Sequence, residues 1–293
     1  MAQSTALLRA MRPKQWLKNL LVFAAPLAAG DIFQLTILVK TFGAFVAFCL
    51  VASSAYLIND LRDIEADRAH PKKHTRPLAS GALKSRTAVI AAILLMLFGL
   101  ALAFTISLAL GGVVVAYVIA TLAYSLHLKN EPVIELALLA LGFLLRSIAG
   151  AAATGLPVSQ WFLIVAGFGS LFMAAGKRYS ELERTSVEGS DLTFRRKSLQ
   201  GYTAGYLRFV WGMAAAVTVT GYCLWAFEVA QKQSTLPWAQ WSVLPFVLAI
   251  MRYAVVIDRS KAEAPEDALL QDRVLLALGV AWLVLFGLGS LGV

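Results

Sequence analysis

Nine apolar stretches leave this chain few ways to fold. They cover residues 17–35, 41–60, 86–106, 109–127, 132–153, 159–178, 206–227, 239–257 and 272–291. At about 20 residues each, they match the hydrocarbon thickness of a bilayer. Backbone exposed to lipid must satisfy its own hydrogen bonds, and nothing in the pattern suggests a barrel, so all nine are expected to be helices. The chain is 59% hydrophobic and 15% charged, whereas a soluble domain is about half apolar and about a quarter charged. We therefore expect an all-α, polytopic membrane protein with nine transmembrane helices. No linker, low-complexity tract or short repeat divides it, so residues 1–293 are expected to form a single transmembrane domain.

Cys49 and Cys223 both lie inside apolar stretches and offer neither a disulfide framework nor a metal spacing. No small-residue cleavage site follows the basic N-terminus, so a removable signal is not expected. In a soluble protein the net charge of +9 would point to nucleic acid. In a membrane protein it points to basic cytoplasmic loops and to anionic lipids or substrates. With the N-terminus in the cytoplasm, the N-terminal segment and the 2–3, 4–5, 6–7 and 8–9 loops all face inward. These segments and the adjoining helix ends hold nearly all the bases, while Lys40 and Lys232 fall on the other side. The expected location is therefore the cell's inner (plasma) membrane, multi-pass, with N-terminus and site cytoplasmic.

The polar residues concentrate after the second stretch, in Asn59-Asp60-Leu61-Arg62-Asp63-Ile64-Glu65-Ala66-Asp67. On a helix, Asn59, Asp63 and Asp67 fall at i, i+4 and i+8, with Asp60 and Tyr56 beside them on one broad face. Carboxylates crowded on one face repel each other unless a cation sits among them. Oxygen ligands of this kind suit Mg2+, which keeps several waters and bridges to substrate phosphates. Asn59, Asp60, Asp63 and Asp67 are the candidate metal ligands. The plain reading, a solvated loop that ends a membrane helix, does not account for the regular spacing.

Bases follow closely: Lys72, Lys73 and Arg76, then Pro77 and Gly81. Acids next to bases make sense if one anionic ligand uses both, since arginine offers a planar fork to phosphate. Lys14 and Lys18, in Arg12-Pro13-Lys14-Gln15-Trp16-Leu17-Lys18-Asn19, are either interfacial anchors or anion ligands. Tyr124 and Lys129 end the fourth stretch and carry the same two readings. His127 reads as an interfacial histidine. Arg146 sits inside an apolar run, a costly position whose natural partner is a carboxylate or a phosphate. Lys177, Arg178 and Glu181 close the sixth stretch, as a simple pairing or as a second polar mouth. Arg195, Arg196 and Lys197 read as a solvated basic loop. Pro265-Glu266-Asp267 lies in the 8–9 loop, and Asp272-Arg273 reads as an ordinary helix start with its pair.

The pattern Asn59-Asp60-x-x-Asp63-x-x-x-Asp67, with Arg76-Pro77-Leu78-Ala79-Ser80-Gly81 and Tyr124-Ser125-x-x-Leu128-Lys129, resembles the UbiA-type intramembrane prenyltransferase superfamily across essentially the whole chain. The resemblance implies a helical bundle with a cytoplasm-facing cavity, in which the first motif binds Mg2+-diphosphate and a lipid partner enters from the bilayer. One departure matters. Where ordinary members carry a second motif of the form DxxxD after helix six, this chain reads Lys177-Arg178-Tyr179-Ser180-Glu181-Leu182-Glu183. With Arg-Pro-x-Gln-Trp-x-Lys-Asn at the N-terminus, it resembles the decaprenyl-phosphate phosphoribosyltransferase branch. That likeness implies transfer of 5-phosphoribose from phosphoribosyl diphosphate to a polyprenyl phosphate, for cell-wall arabinan precursors.

On this expectation Asp60, Asp63, Asp67, Arg146 and Lys177 are catalytic. Lys14, Lys18, Tyr56, Lys73, Arg76, Tyr124, Lys129, Arg178 and Glu181 bind substrate. The basic residues suit the reaction, because donor and lipid acceptor together bring more phosphates than a prenyl diphosphate alone. A rival within the superfamily is an aromatic or quinone-precursor prenyltransferase. A rival from another class is an anion transporter, which the acidic face argues against. Assembly as a homo-oligomer is compatible with the pattern.

Overall fold

The computed structural model of the 293-residue chain describes residues 3–70, 73–126, 128–187, 197–232, 236–259 and 271–291. Lys72, His127, Arg195, Arg196 and Pro265-Glu266-Asp267 lie outside these residues. All regular structure among the described residues is helical. Helix α1 (Gln3–Ala10) lies at the N-terminus. A 3-10 segment (Pro13–Phe23) and the short α2 (Ala24–Ala28) follow. The long elements are α3 (Leu35–Arg62), α5 (Ser85–Ile106), α6 (Leu108–Leu126), α7 (Ile134–Thr154), α8 (Gln160–Val187), α10 (Ala204–Lys232), α12 (Val243–Asp258) and α13 (Arg273–Leu291). Short helices α4 (Ile64–Ala69), α9 (Lys197–Gln200) and α11 (Trp238–Trp241) sit at their junctions.

Among the described residues, eight helices are long and apolar enough to cross a membrane. The first expected span, 17–35, differs. It is an 11-residue 3-10 segment followed by five α-helical residues. Pro26 is one reason: it has no N–H to give the Val22 carbonyl in an α-helical bond. Gly150 of α7 is another. A Cβ at Gly150 would stand 2.0 Å from the Val22 carbonyl oxygen and 2.7 Å from Pro26 Cδ. Glycine thus lets this backbone lie directly on α7. At about 2.0 Å per 3-10 residue and about 1.5 Å per α-helical residue, the two pieces extend about 30 Å. The larger rise per residue of the tighter 3-10 winding covers nearly a bilayer's hydrocarbon depth with few residues.

Helix α7 is the centre of the bundle. Its Leu145, Ala149 and Ala153 join Val22, Phe48, Val51, Val114 and Tyr117 in one buried cluster. Its Leu136 joins a second, built from Phe172, Tyr179, Leu207, Tyr253 and Ile257. Alanine and glycine on α7 allow this closeness on two sides, as expected where lipid supplies no hydrophobic drive between helices. Large apolar side chains such as Phe98 and Phe209, both 65% exposed, point outward along the long helices, where a bilayer would cover them.

Candidate active site

The acidic stretch is not one continuous helical face. Helix α3 ends at Arg62, Asp63 takes φ −94° and ψ 12°, and α4 starts at Ile64. The bend sorts the oxygens into two groups. Asp60 and Asp67 turn inward, with side chains 3% and 5% exposed. Arg76 bridges them, donating to Asp60 Oδ1 at 3.2 Å and to Asp67 Oδ2 at 2.7 Å. Arg12 adds a bond to Asp60 Oδ1 at 2.5 Å. Asn59 and Asp63 form the second group. Asn59 Nδ2 donates to Asp63 Oδ2 at 3.2 Å, and Lys129 Nζ stands 3.8 Å from Asp63 Oδ1. Asp63 and Lys129 are each 28% exposed.

In this arrangement Asn59, Asp60, Asp63 and Asp67, expected together on one cation, divide into two groups. Among the described residues, no three of His, Cys, Asp and Glu converge as a metal cage. Asp60 and Asp67 are neutralised by arginine, and their charge serves to hold Arg12 and Arg76. Asn59 Oδ1 and the Asp63 carboxylate do fit Mg2+, which needs one or two carboxylates and completes its shell with waters and phosphate. Arg76, expected on phosphate, bonds the Asp60 and Asp67 carboxylates in this structure.

The loop after α4 is shaped to present Arg76. Ser80 N–H bonds the Arg76 carbonyl at 2.9 Å, and Leu83 N–H bonds the Pro77 carbonyl at 2.8 Å. Gly81 completes the turn at φ +77°, a left-handed conformation that suits glycine. Arg68 Nε holds the Ala79 carbonyl at 3.2 Å. Gln3 of α1 clips the same loop, donating to the Ala82 carbonyl at 3.2 Å. Arg12 adopts φ 55° just before Pro13, and its guanidinium lies 4.9 Å from the Tyr56 ring centre. Tyr56 therefore supports Arg12. Lys14 is exposed, Lys18 donates to Gln15 Oε1 at 2.5 Å, and Lys73 is half-buried at the start of a 3-10 turn, Lys73–Thr75.

A second polar cluster lies where α6, α7 and α8 meet. Helix α8 continues to Val187, so Lys177, Arg178 and Glu181 stand on a helix and not in a loop beyond it. Arg178 is 1% exposed and grips Glu135 through two parallel bonds, both 2.7 Å, to a carboxylate that is fully buried. It also donates to Glu181 Oε2 at 2.5 Å and to the Tyr124 hydroxyl at 3.1 Å. Arg178 was expected to bind substrate. In the structure it is buried, and its four bonds tie three helices together. Lys177, beside it, is half-buried.

Arg146 is also placed differently from expectation. It is 6% exposed, with no carboxylate among its bonding partners. Its donors meet Asn19 Oδ1, the Gly142 carbonyl and the Tyr117 hydroxyl, each at 2.7 Å. The Tyr117 ring centre lies 4.6 Å from the guanidinium carbon. Counted along α7 from Glu135, Arg146 lies about 16 Å deeper in the bundle. It pins the 3-10 segment to α6 and α7 there.

The described mouth thus joins the α3–α4 bend to the α6–α7 turn through Asp63–Lys129, and the end of α6 to α8 through Tyr124–Arg178. Sequence reasoning passed over Glu135, Tyr117 and Arg62. Arg62 donates to the carbonyls of Ser125 and Leu126. A lone acid at a helix start signals little by itself. Glu135 becomes informative only once Arg178 is known to face it.

The UbiA prenyltransferase family matches residues 20–279. The chain belongs to this family. Proteins named decaprenyl-phosphate phosphoribosyltransferase are similar over nearly the full length. The one from Corynebacterium glutamicum is 47% identical over 281 residues, covering 94% of this chain and 84% of its own. The one from Mycolicibacterium smegmatis is 46% identical over 294 residues, covering 97% and 92%. A solved UbiA homologue from Archaeoglobus fulgidus, bound to DMAPP and Mg2+, superposes with a TM-score of 0.71 at 20% identity, covering 98% of this chain and 99% of that one. In this UbiA chain, then, the Asn59–Asp63–Lys129 group is the open part of the first motif, and Asp60 and Asp67 are its buried acids, held by Arg12 and Arg76.

Proposed function

We propose that this UbiA-family chain is a membrane transferase that moves 5-phosphoribose from phosphoribosyl diphosphate to a polyprenyl phosphate, decaprenyl phosphate in the similar proteins. The observation that carries the reading is the 46–47% identity to decaprenyl-phosphate phosphoribosyltransferases over almost the whole chain. The site supports it. It pairs one open amide–carboxylate group with Lys129, and bases stand where a second acidic motif would serve a prenyl diphosphate.

In the reaction, the bond from ribose C1 to the diphosphate oxygen breaks, a bond from C1 to a lipid phosphate oxygen forms, and diphosphate leaves. Asn59 and Asp63 would hold Mg2+, which supplies electrostatic stabilisation of charge growing on the departing diphosphate. Lys129 stands beside Asp63, where it offers a cation to a phosphate oxygen. Lys14, Lys18, Lys73 and Lys177 are the further bases we assign to donor and acceptor phosphates. The acceptor is already an anion near neutral pH, so the protein must position it more than deprotonate it. Asp60 and Asp67 act through Arg12 and Arg76, keeping the bend in shape. Arg146 acts through Asn19, fixing the segment that carries Lys14 and Lys18. The basic loops support a reading in which this mouth faces the cytoplasm and the protein sits in the cell's inner membrane.

The test uses purified protein with Mg2+, polyprenyl phosphate and radiolabelled phosphoribosyl diphosphate. The expected product is lipid-linked phosphoribose, absent when EDTA is added. Prenylated 4-hydroxybenzoate from a prenyl diphosphate, at a comparable rate, would instead assign the chain to the aromatic prenyltransferases.

A further inference from the structure

The turn that carries Lys129 is held in a conformation its own residues do not favour. Val133, between Pro132 and the start of α7, takes φ 66° and ψ −51°. The Ile134 N–H bonds the Pro132 carbonyl across it at 2.7 Å. This is a γ-turn of the rare, strained hand, and a β-branched residue at positive φ is an outlier. Such a backbone persists only where its surroundings over-determine it. Lys129 lies four residues earlier, in the 3-10 turn Leu128–Asn130, with its Nζ 3.8 Å from Asp63 Oδ1. Relaxing Val133 to negative φ would re-aim the segment that carries Lys129 relative to α7.

Two side chains hold the ends of this turn. Arg62 bonds the Ser125 and Leu126 carbonyls just before it, and Arg178 grips Glu135 just after it. A third holder comes from a distant part of the chain. The Val133 N–H donates to the Tyr202 hydroxyl at 2.6 Å, across 69 residues of sequence. Standing just before α7, Val133 has no partner for that N–H within the helix. Tyr202 is itself fixed. It is 6% exposed and packs in the cluster that holds Leu136, Leu199 and Tyr253. Its ring stacks on Tyr206, with centres 5.8 Å apart and planes at 9°. Its N–H bonds the Leu199 carbonyl of α9 at 3.3 Å. The next residue, Thr203, accepts from the Tyr206 N–H at 3.1 Å and so starts α10. Burial pushes the Tyr202 hydroxyl up to about 12. It is therefore neutral in any working buffer and serves as an acceptor, not as a base.

We infer that Tyr202 is a positioning residue for Lys129: its hydroxyl holds the strained turn at Val133, and that turn sets Lys129 against Asp63. The inference rests on the reading that Lys129 meets a substrate phosphate. It gives the segment just before α10 a part in the reaction without any contact with substrate.

Two measurements on the full-length protein in nanodiscs test the inference. The first needs no turnover. A zero-length carbodiimide crosslink between Lys129 and Asp63 is formed without Mg2+, and its yield is set against modification of Glu65, whose side chain is 88% exposed. Tyr202→Phe keeps the ring and removes the acceptor. The yield should fall at least about threefold, the shift in population that one hydrogen bond supports. Val133→Gly added to Tyr202→Phe should return the yield, because glycine takes positive φ without being held. An unchanged yield in Tyr202→Phe, or a loss that Val133→Gly does not return, overturns the inference. Should Tyr202→Phe not fold, Tyr206→Ala, which removes the ring stacked on Tyr202 at an exposed position, is read in its place with the same outcomes. The second measurement is a double-mutant cycle in kcat/KM. Tyr202→Phe should lower it about tenfold in the parent and not at all in Lys129→Ala, since a residue that acts through Lys129 then has nothing to act on. Equal losses in both backgrounds would mark a defect of the fold and overturn the inference. A parent protein without phosphoribosyl transfer would refute the reading of the activity and leave the crosslink to decide.

Discussion

Asp63 and Asn59 are the residues whose loss should separate chemistry from folding. Both sit at the open side of the bend, Asp63 with 28% of its side chain exposed. Asp63→Asn keeps the volume and removes a hard anionic ligand, and Asn59→Ala removes its neighbour. Each should lower kcat/KM by at least about a hundredfold, since metal stabilisation of a leaving group is worth several kcal/mol. Thermal unfolding in detergent should move little. Activity that survives both substitutions would exclude this pair as the metal site. Glu135 should behave in the opposite way. It is fully buried and meets Arg178 through two bonds. Glu135→Ala leaves a buried guanidinium without its main partner, which costs about 3–5 kcal/mol. The midpoint of unfolding should fall sharply, and activity should be lost through that fall. A Tm equal to that of the parent would show that the tie bears no weight.

At the scale of elements, two junctions invite tests. The 3-10 segment lies on α7 because Gly150 has no side chain. Gly150→Ala puts a methyl group only 2.0 Å from the Val22 carbonyl oxygen. We expect a loss of about 1–3 kcal/mol, the usual cost of overpacking, seen as a lower Tm. The same variant should raise KM for the donor, because Lys14 and Lys18 ride on the displaced segment. The start of α13 is the second junction. The sequence suggested Asp272 with Arg273. In the structure Asp272 Oδ1 accepts from the Val274 and Leu275 N–H groups at 3.0 and 3.1 Å, and Oδ2 accepts from Arg252 Nε at 2.8 Å. The backbone bond from Leu275, with help from Arg252 and Val274, holds the Asp272 carboxyl below its usual range. A depressed folded value stabilises the fold above the ordinary carboxylate pKa. That contribution is lost as pH falls through the folded value. Parent and Asp272→Asn proteins should therefore differ in Tm at neutral pH and converge under acid. A constant difference down to the lowest pH would rule out this cap as the source.

For the whole molecule the testable property is its orientation. Glu65, with a side chain 88% exposed, sits by the mouth, and Phe33, 75% exposed, precedes α3 at the other end. A cysteine at position 65 should react only with reagent admitted to the cytoplasm, and one at position 33 with impermeant reagent from outside. Cys49 and Cys223 sit in membrane helices, the first buried and the second half-buried, and should contribute little background. Labelling of position 65 from outside would invert the topology. The same two-ended design explains the packing. Bases and acids gather at one end, while Tyr222, Trp225, Phe246, Trp282 and Phe286 stack into an aromatic cluster that seats Leu27 and Ala28 of α2.

Hydropathy by itself determined the helical class and eight of the nine expected spans, because about 20 apolar residues in lipid have no other way to satisfy their backbone. Spacing alone brought Asn59, Asp60, Asp63 and Asp67 to attention, since four-residue periodicity is local information. The tertiary structure decided the rest. Whether a carboxylate faces a metal or an arginine depends on partners distant in sequence: Asp60 meets Arg12 from 48 residues away and Arg146 meets Asn19 from 127. Local pattern cannot weigh such pairs. Nor could it foresee a 3-10 segment in place of the first span, which needed Pro26 on one strand of chain and Gly150 on another. A charge's role follows from what neutralises it, and in this fold that is settled by contacts between helices.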